Sequence, residues 1–345
     1  MQFSYKFDAK NKNFGPFKQL QVAMISSISH QWELPIFLDL ECPVTKLLVM
    51  RIIHAVEEKG AIITSVTCRS GPSYHRLMCE LGFSSEKPYF TFSKDASRKI
   101  FVFANPIHSV QMFNLFHPLL QNFDISTNQF QLKNEEDEEM EEGDDEDEEH
   151  ERISQFEATE VQLFSHEAAE LIVNQFPDQV NISVFVELMA NWLNIFNSSA
   201  SWDSDKYKCA LGVHEKEQFR IIRSVIKKMG GIRQPGTKHL LQCQLSIIIT
   251  SHALIQLYEH LKSQFSLECI LTSQLTLQSI GNIFSKLTIV GEDNTTEGEE
   301  EEDTKNGVEV DGIFLRSGID DSVSDIQESV NVILASSVEC IGTSD

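Results

Sequence analysis

The chain has 345 residues and a formal net charge of −24, with 41% hydrophobic residues. That supply of apolar side chains allows one large core or two ordinary ones, and no run of about 18 uninterrupted apolar residues offers a membrane-spanning helix. Most of the charge is local: residues 135–151 hold 14 acids in 17 positions and residues 292–303 hold 8 in 12, leaving 30 acidic against 28 basic residues elsewhere. Like charges at that density repel and stay solvated, so the folded remainder is close to neutral. The seven cysteines (Cys42, Cys68, Cys79, Cys209, Cys243, Cys269 and Cys340) are scattered without a C-x-x-C pair. This pattern points to reduced thiols in an intracellular compartment rather than a disulfide frame or a zinc site. The first twelve residues carry no apolar run of the signal-peptide kind.

In chain order, residues 20–28 read as a strand and residues 34–40 as a second, with Pro35 suiting a strand start. Residues 44–59 place Val44, Leu47, Leu48, Ile52 and Val56 on one helical face, and Gly60 stands where a C-terminal cap belongs. Residues 61–68 are β-branched and read as a buried strand. Pro72 opens a helix that Gly82 ends. A strand over 99–104 and a helix over 106–120 complete an α/β alternation around a mixed sheet. Past the first acidic tract the period changes to helical: 167–176, 182–196, 215–229 and 239–265, then a short helix over 275–287 and a weak one over 324–335. No internal repeat is visible.

Chemical motifs are few. Residues 231–238 resemble a phosphate loop only in outline. Thr237 and Lys238 stand in the reverse order, Pro235 removes a donor, and a helix rather than a strand precedes, so the segment reads as a helix–helix loop. Arg220, Arg223, Lys227 and Lys228 fall on the helical face opposite Ile221, Ile222, Val225, Ile226 and Met229, and with Arg233 and Lys238 form a basic patch free of acids. The patch suits DNA phosphates and equally suits a solvated helix face. His108, His117, His166 and His252 lack metal-ligand spacing, and no metal site is expected. The acidic tracts suit basic protein partners or solvated spacers.

An ordered set of landmarks carries more. Gln31-Trp32-x-x-Pro35, Thr67-Cys68-x-x-Gly71-Pro72-Ser73, Glu86-Lys87-Pro88 and Phe103-Ala104-x-x-x-His108 resemble the RNase H-like core of P-element-type DNA transposases, including their THAP-domain-containing relatives. QLFSHEAAELI (162–172) resembles the opening of that family's helical insertion. ALIQLYEHLK (253–262) and ILTSQLTLQSIGNIFSKL (270–287) resemble the return to the core. The resemblance, over about residues 1–287, implies an α/β RNase H-like core interrupted by an all-α insertion. Residues 1–133 are the first part of the core, 134–151 an acidic disordered linker, 152–268 the helical insertion, 269–290 the return helix and 291–345 an acidic, mostly disordered tail. It also implies a nuclear, DNA-binding, self-associating protein, with GTP bound in the insertion and two Mg²⁺ ions driving strand cleavage and transfer.

The three metal-holding acids such chemistry needs find no match. The first belongs to an Asp-Glu-Met motif expected just before Met1. The second falls at Arg69. The third, on the late helix, falls at Gly281, and a strand-end Asp falls at Asn105. A cation at position 69 repels Mg²⁺ where a ligand is required. The family's zinc module and zipper find no match in these residues either. The sequence therefore reads as an inactive transposase-like protein. The alternatives are an active but truncated enzyme drawing acids from Asp39, Glu41 or Asp124, and an interaction module built on the acidic tracts.

Overall fold

A computed structural model of the chain describes residues 6–8, 13–15, 19–28, 32–40, 42–92, 98–116, 163–233, 236–278 and 309–317. The acidic tracts, His117, Glu41, Asp124, Gly281, the late helix after residue 278 and the 324–335 segment lie outside these residues. A small antiparallel pair, β1 (Lys6–Asp8) and β2 (Asn13–Gly15), precedes the main sheet.

The main sheet is mixed. Its strands are β3 (Gln19–Ser27), β4 (Glu33–Leu40), β5 (Ile63–Cys68), β6 (Tyr89–Thr91), β7 (Lys99–Ala104) and β8 (Glu309–Ser317), in the spatial order β4-β3-β8-β5-β7-β6. β4 is an edge strand, which is where a proline can be carried, and the β3–β4 register slips between Ala23 and Met24, opposite Pro35. β5 and β7 run parallel, Cys68 opposite Ala104, joined through α2.

Side-chain alternation along β7 shows how the two faces are filled. Ile100, Val102 and Ala104 point into one core with Val49, Ile53, Tyr74 and Leu77. Those partners come from α1 (Lys46–Glu57) and α2 (Pro72–Leu81). Phe101 and Phe103 point the other way, into a core shared with the helical half. Thr45 caps α1 by accepting from the Leu48 N–H at 3.3 Å. Gly82, at φ 72°, closes α2 in the left-handed conformation that a side chain resists.

On the second face lie α3 (Pro106–Phe116), α4 (His166–Gln175), α5 (Val180–Phe196), α6 (Glu215–Gly231) and α7 (Gln242–Phe265). α5 is buried along most of its length. Trp192, fully buried, packs on Phe196 at 4.6 Å between centroids and donates from Nε1 to Ser251 Oγ of α7 at 2.9 Å. α7 belongs to both cores: Ile249 joins the α1–α2 side of the sheet, while Ile247, Leu254 and Leu257 join the helical side.

Two buried glutamines organise the connections. Gln218 receives the Gly212 N–H at 3.0 Å and donates to Cys209 O at 3.0 Å and Ala210 O at 3.3 Å, fixing the loop before α6. Gln244 accepts from Leu241 N at 2.9 Å and donates to Met229 O and Ile232 O, so the α6–α7 turn is pinned to the first turn of α7.

The expected elements up to residue 116 and the four long helices are present, within a few residues at their ends. Three short strands, β1, β2 and β6, were not expected, and neither was β8. Residues 291–345 are expected to be a mostly disordered tail. Residues 309–317 of that tail instead form an inner strand. Of the helix expected over 275–287, residues 279–287 lie outside the described residues; Thr272–Leu275 form a 3-10 turn ahead of it.

Candidate functional site

The parallel strands β5 and β7 end side by side, and each is followed at once by a helix. Cys68 O accepts the Asn105 N–H at 2.7 Å, binding the two ends together. Pro72 and Pro106 open α2 and α3. A proline fits the first helical turn because its missing N–H has no intrahelical partner there. The outlet of parallel strands, flanked by helix N-termini, is the usual place for a site in an open α/β sheet.

α7 covers this outlet. Thr250 Oγ1 accepts from Ala104 N at 2.9 Å and donates to Ala104 O at 3.2 Å. Ser70 Oγ bonds Ser246 Oγ at 3.2 Å, and Thr67 Oγ1 donates to Leu275 O at 3.1 Å. Short hydroxyl side chains thus fasten the strand ends to the helical half.

Arg69, half-buried, follows β5 directly. Its Nε donates to His108 Nε2, on the first turn of α3, at 3.1 Å. An imidazole nitrogen can accept only when the ring is neutral. The surroundings enforce that state: burial first, and the Arg69 charge second, push the His108 pKa down to about 4. Asn105 Oδ1 is buried beside them without a hydrogen-bond partner among the described residues. The sequence placed Arg69 and His108 in separate landmarks and gave no sign that they pair. What could have joined them is that both follow buried strands that pair in parallel.

This outlet does not suit a metal. The Arg69 guanidinium places a fixed positive charge there, and the neighbouring imidazole uses its lone pair on it. Among the described residues no group of three or more His, Cys, Asp or Glu side chains is arranged to hold an ion. Of the other acids proposed as ligands, Asp39 lies near the end of β4, at the same end of the strands but on the far edge of the sheet, opposite Gln21, which in turn stands opposite Asp311. β4 is three strands from β5, about 14 Å at normal strand spacing. Ions in a two-metal site are only about 4 Å apart.

The basic patch is a true surface face. Arg220, Arg223, Lys227 and Lys228 on α6 are exposed, as are Arg233 and Lys238 in the following loop, while Ile221, Ile222, Val225 and Met229 are buried. Two of the six also have structural contacts. Arg223 lies over the Phe219 ring at 5.4 Å. Arg233 Nη1 donates to Gly230 O at 2.7 Å and Ile232 O at 2.8 Å, where α6 leaves carbonyls unmatched. Residues 236–238 lie in the loop between α6 and α7, as the sequence indicated.

In the helical half, an open pocket of about 360 Å³ lies between α4 and α5, lined by His166, Glu170, Asn174, Ser183 and Glu187 among others. Its two carboxylates and lack of Lys or Arg do not fit a nucleotide triphosphate. His252 is a partly buried helix residue whose pKa burial lowers.

A mixed sheet sandwiched between helices, with its strand outlet under a long helix, defines an α/β protein. The fold is shared with the Drosophila P element transposase strand transfer complex, with a TM-score of 0.62 over 80% of this chain and 72% of that one at 20% identity. The chain is homologous to the Transposable element P transposase of Drosophila melanogaster, 24% identical over 294 residues. The match covers 79% of this chain and 39% of that protein, so the chain spans about two fifths of its relative's length. No protein-family profile matches. Among the described residues no helix is long and apolar enough to cross a membrane.

Proposed function

We propose that the chain is a catalytically inactive P-element-transposase-like protein that retains a DNA-binding role. In this reading the sheet is an RNase H-like core, and α4 to α7 belong to the inserted domain. The observation that carries it is the Arg69–His108 pair at the strand outlet. Phosphoryl transfer of this kind needs carboxylates there to hold Mg²⁺ against the attacking and leaving oxygens. Position 69 supplies a positive charge instead, so no metal-dependent step is assigned to this chain. The test is strand cleavage and transfer on transposon-end DNA with Mg²⁺ or Mn²⁺. The expected result is no product. Cleavage that vanishes on changing Arg69 or Gly281 would overturn the reading.

The exposed basic face supports DNA backbone contact. Each phosphate neutralised by Lys or Arg releases counterions, so binding should fall steeply with salt. Reversing Arg220, Lys227 and Lys228 to Glu should weaken binding of unrelated DNA sequences alike and flatten the salt slope by about one per lost contact. Unchanged affinity and slope would leave the face as a solvated helix surface. Nuclear location follows from this role. An active-enzyme reading built on Asp39 is disfavoured by its distance across the sheet. Recruitment of basic proteins by the acidic tracts predicts loss of pull-down when residues 135–151 are deleted.

A further inference from the structure

β8 comes from the far end of the sequence and enters the middle of the sheet. Nine of its residues pair with β3 in parallel, from Gln19 opposite Glu309 to Ser27 opposite Ser317. Its other side pairs antiparallel with β5, from Ile63 opposite Ser317 to Cys68 opposite Ile313. β3 turns its other edge to β4, and β5 turns its other edge to β7. Without β8 the sheet separates into β4-β3 and β5-β7-β6, and both parts present an open inner edge. All six residues of β5 are buried, as are Gln21 to Ile28 of β3, so these edges lie in the interior of the protein. Unpaired edges of that kind seek a strand.

The covalent tie hardly constrains β8. Thirty residues, 279–308, connect it to the preceding described segment, and an extended chain of that length reaches about 100 Å. The distance to be crossed is short, because Leu275 O accepts from Thr67 and Thr67 stands opposite Phe314. Within the connection, residues 292–303 carry eight acids in twelve positions and no large apolar side chain, a stretch that favours solvent. A strand held this way is a tethered peptide. It keeps its place by main-chain pairing and by a high effective concentration.

We propose that the gap between β3 and β5 is a strand-binding slot, occupied by residues 309–317 of the same chain and open to the same segment from a second copy. The identical strand makes the identical ladder whichever chain supplies it, and strand exchange is an easy route to dimers. The slot selects direction, since its occupant must run parallel to β3 and antiparallel to β5. It also selects for an uninterrupted row of N–H donors, because an inner strand is bonded on both sides.

The test uses the full chain with a site-specific protease sequence replacing residues 294–297. After cleavage the tail fragment should co-elute with the rest of the protein. A labelled peptide of residues 305–320, in excess, should displace it, while the same peptide carrying Ile313→Pro should compete at least about tenfold less well, having lost an inner-strand donor. Mixing the cleaved protein with an uncut, tagged copy should give a mixed dimer. A tail that leaves on cleavage, a retained tail that excess peptide never replaces, or equal competition by the proline peptide would each overturn the slot. Failure of the mixed dimer alone would overturn the second-copy occupant.

Discussion

In the helical half, Trp192 is enclosed by partners from α5 and α7, and Gln218 and Gln244 fasten loops a few residues from themselves. In the sheet half, β3 and β5 are neighbours only through a strand from the opposite end of the chain. One half is held by side-chain packing between consecutive helices. The other is held by a main-chain ladder assembled from distant segments. The first is therefore sensitive to the loss of single side chains. The second is sensitive to anything that interrupts a backbone donor or its connection.

The largest expected effect is in the helical half. Trp192→Ala empties a fully buried site and abandons Ser251, and should cost about 3–5 kcal/mol in denaturant unfolding. A loss below about 1 kcal/mol would mean the helical core is not as closely packed as its burial indicates. Next is Gln244→Ala, which leaves Met229 O and Ile232 O without their amide partner and should cost about 1–3 kcal/mol. Gly212→Ala should act in the same direction. Its Cβ meets Glu268 O and lies 2.8 Å from the Tyr258 ring, in a backbone conformation at φ 111°.

A pH effect belongs to the strand outlet. His108 has a folded pKa of about 4 against an ordinary 6.5, so the unfolded chain takes up its proton first. Its contribution to stability is complete above about pH 6.5 and is lost as pH falls toward 4. Burial shifts His75, His252 and His260 the same way, with Lys99 adding to the shift at His260. His108→Gln should flatten the acid limb of the stability curve relative to the parent, and an unchanged limb would assign it to those other histidines. The smallest effect is on the α6 surface: Lys227→Ala should change stability by no more than about 0.5 kcal/mol, while still lowering DNA affinity.

The same contrast governs what the sequence discloses. Helix periodicity places α1 and α4 to α7 to within about three residues at each end, although α1 closes at Glu58 rather than at Gly60, and Pro72 with Gly82 bracket α2. Those signals are written within one element. β8 reads as a polar tail because EVDGIFLRS is short, sits beside an acidic tract, and takes its partners from the first seventy residues. Its strand character comes from the slot, not from its own pattern. β6 is missed for a related reason: three residues are too few to show alternation. The candidate site was half legible. Arg69 stood out by comparison with a carboxylate-requiring pattern, whereas its bond to His108 depends on the parallel pairing of β5 and β7.

One further consequence follows from α7. At 24 residues it is about 36 Å long, and its side chains are common property of the two cores. A shaft keyed into both layers leaves no pivot between them. The protein should melt in a single calorimetric transition, and any rearrangement it undergoes should turn both layers together.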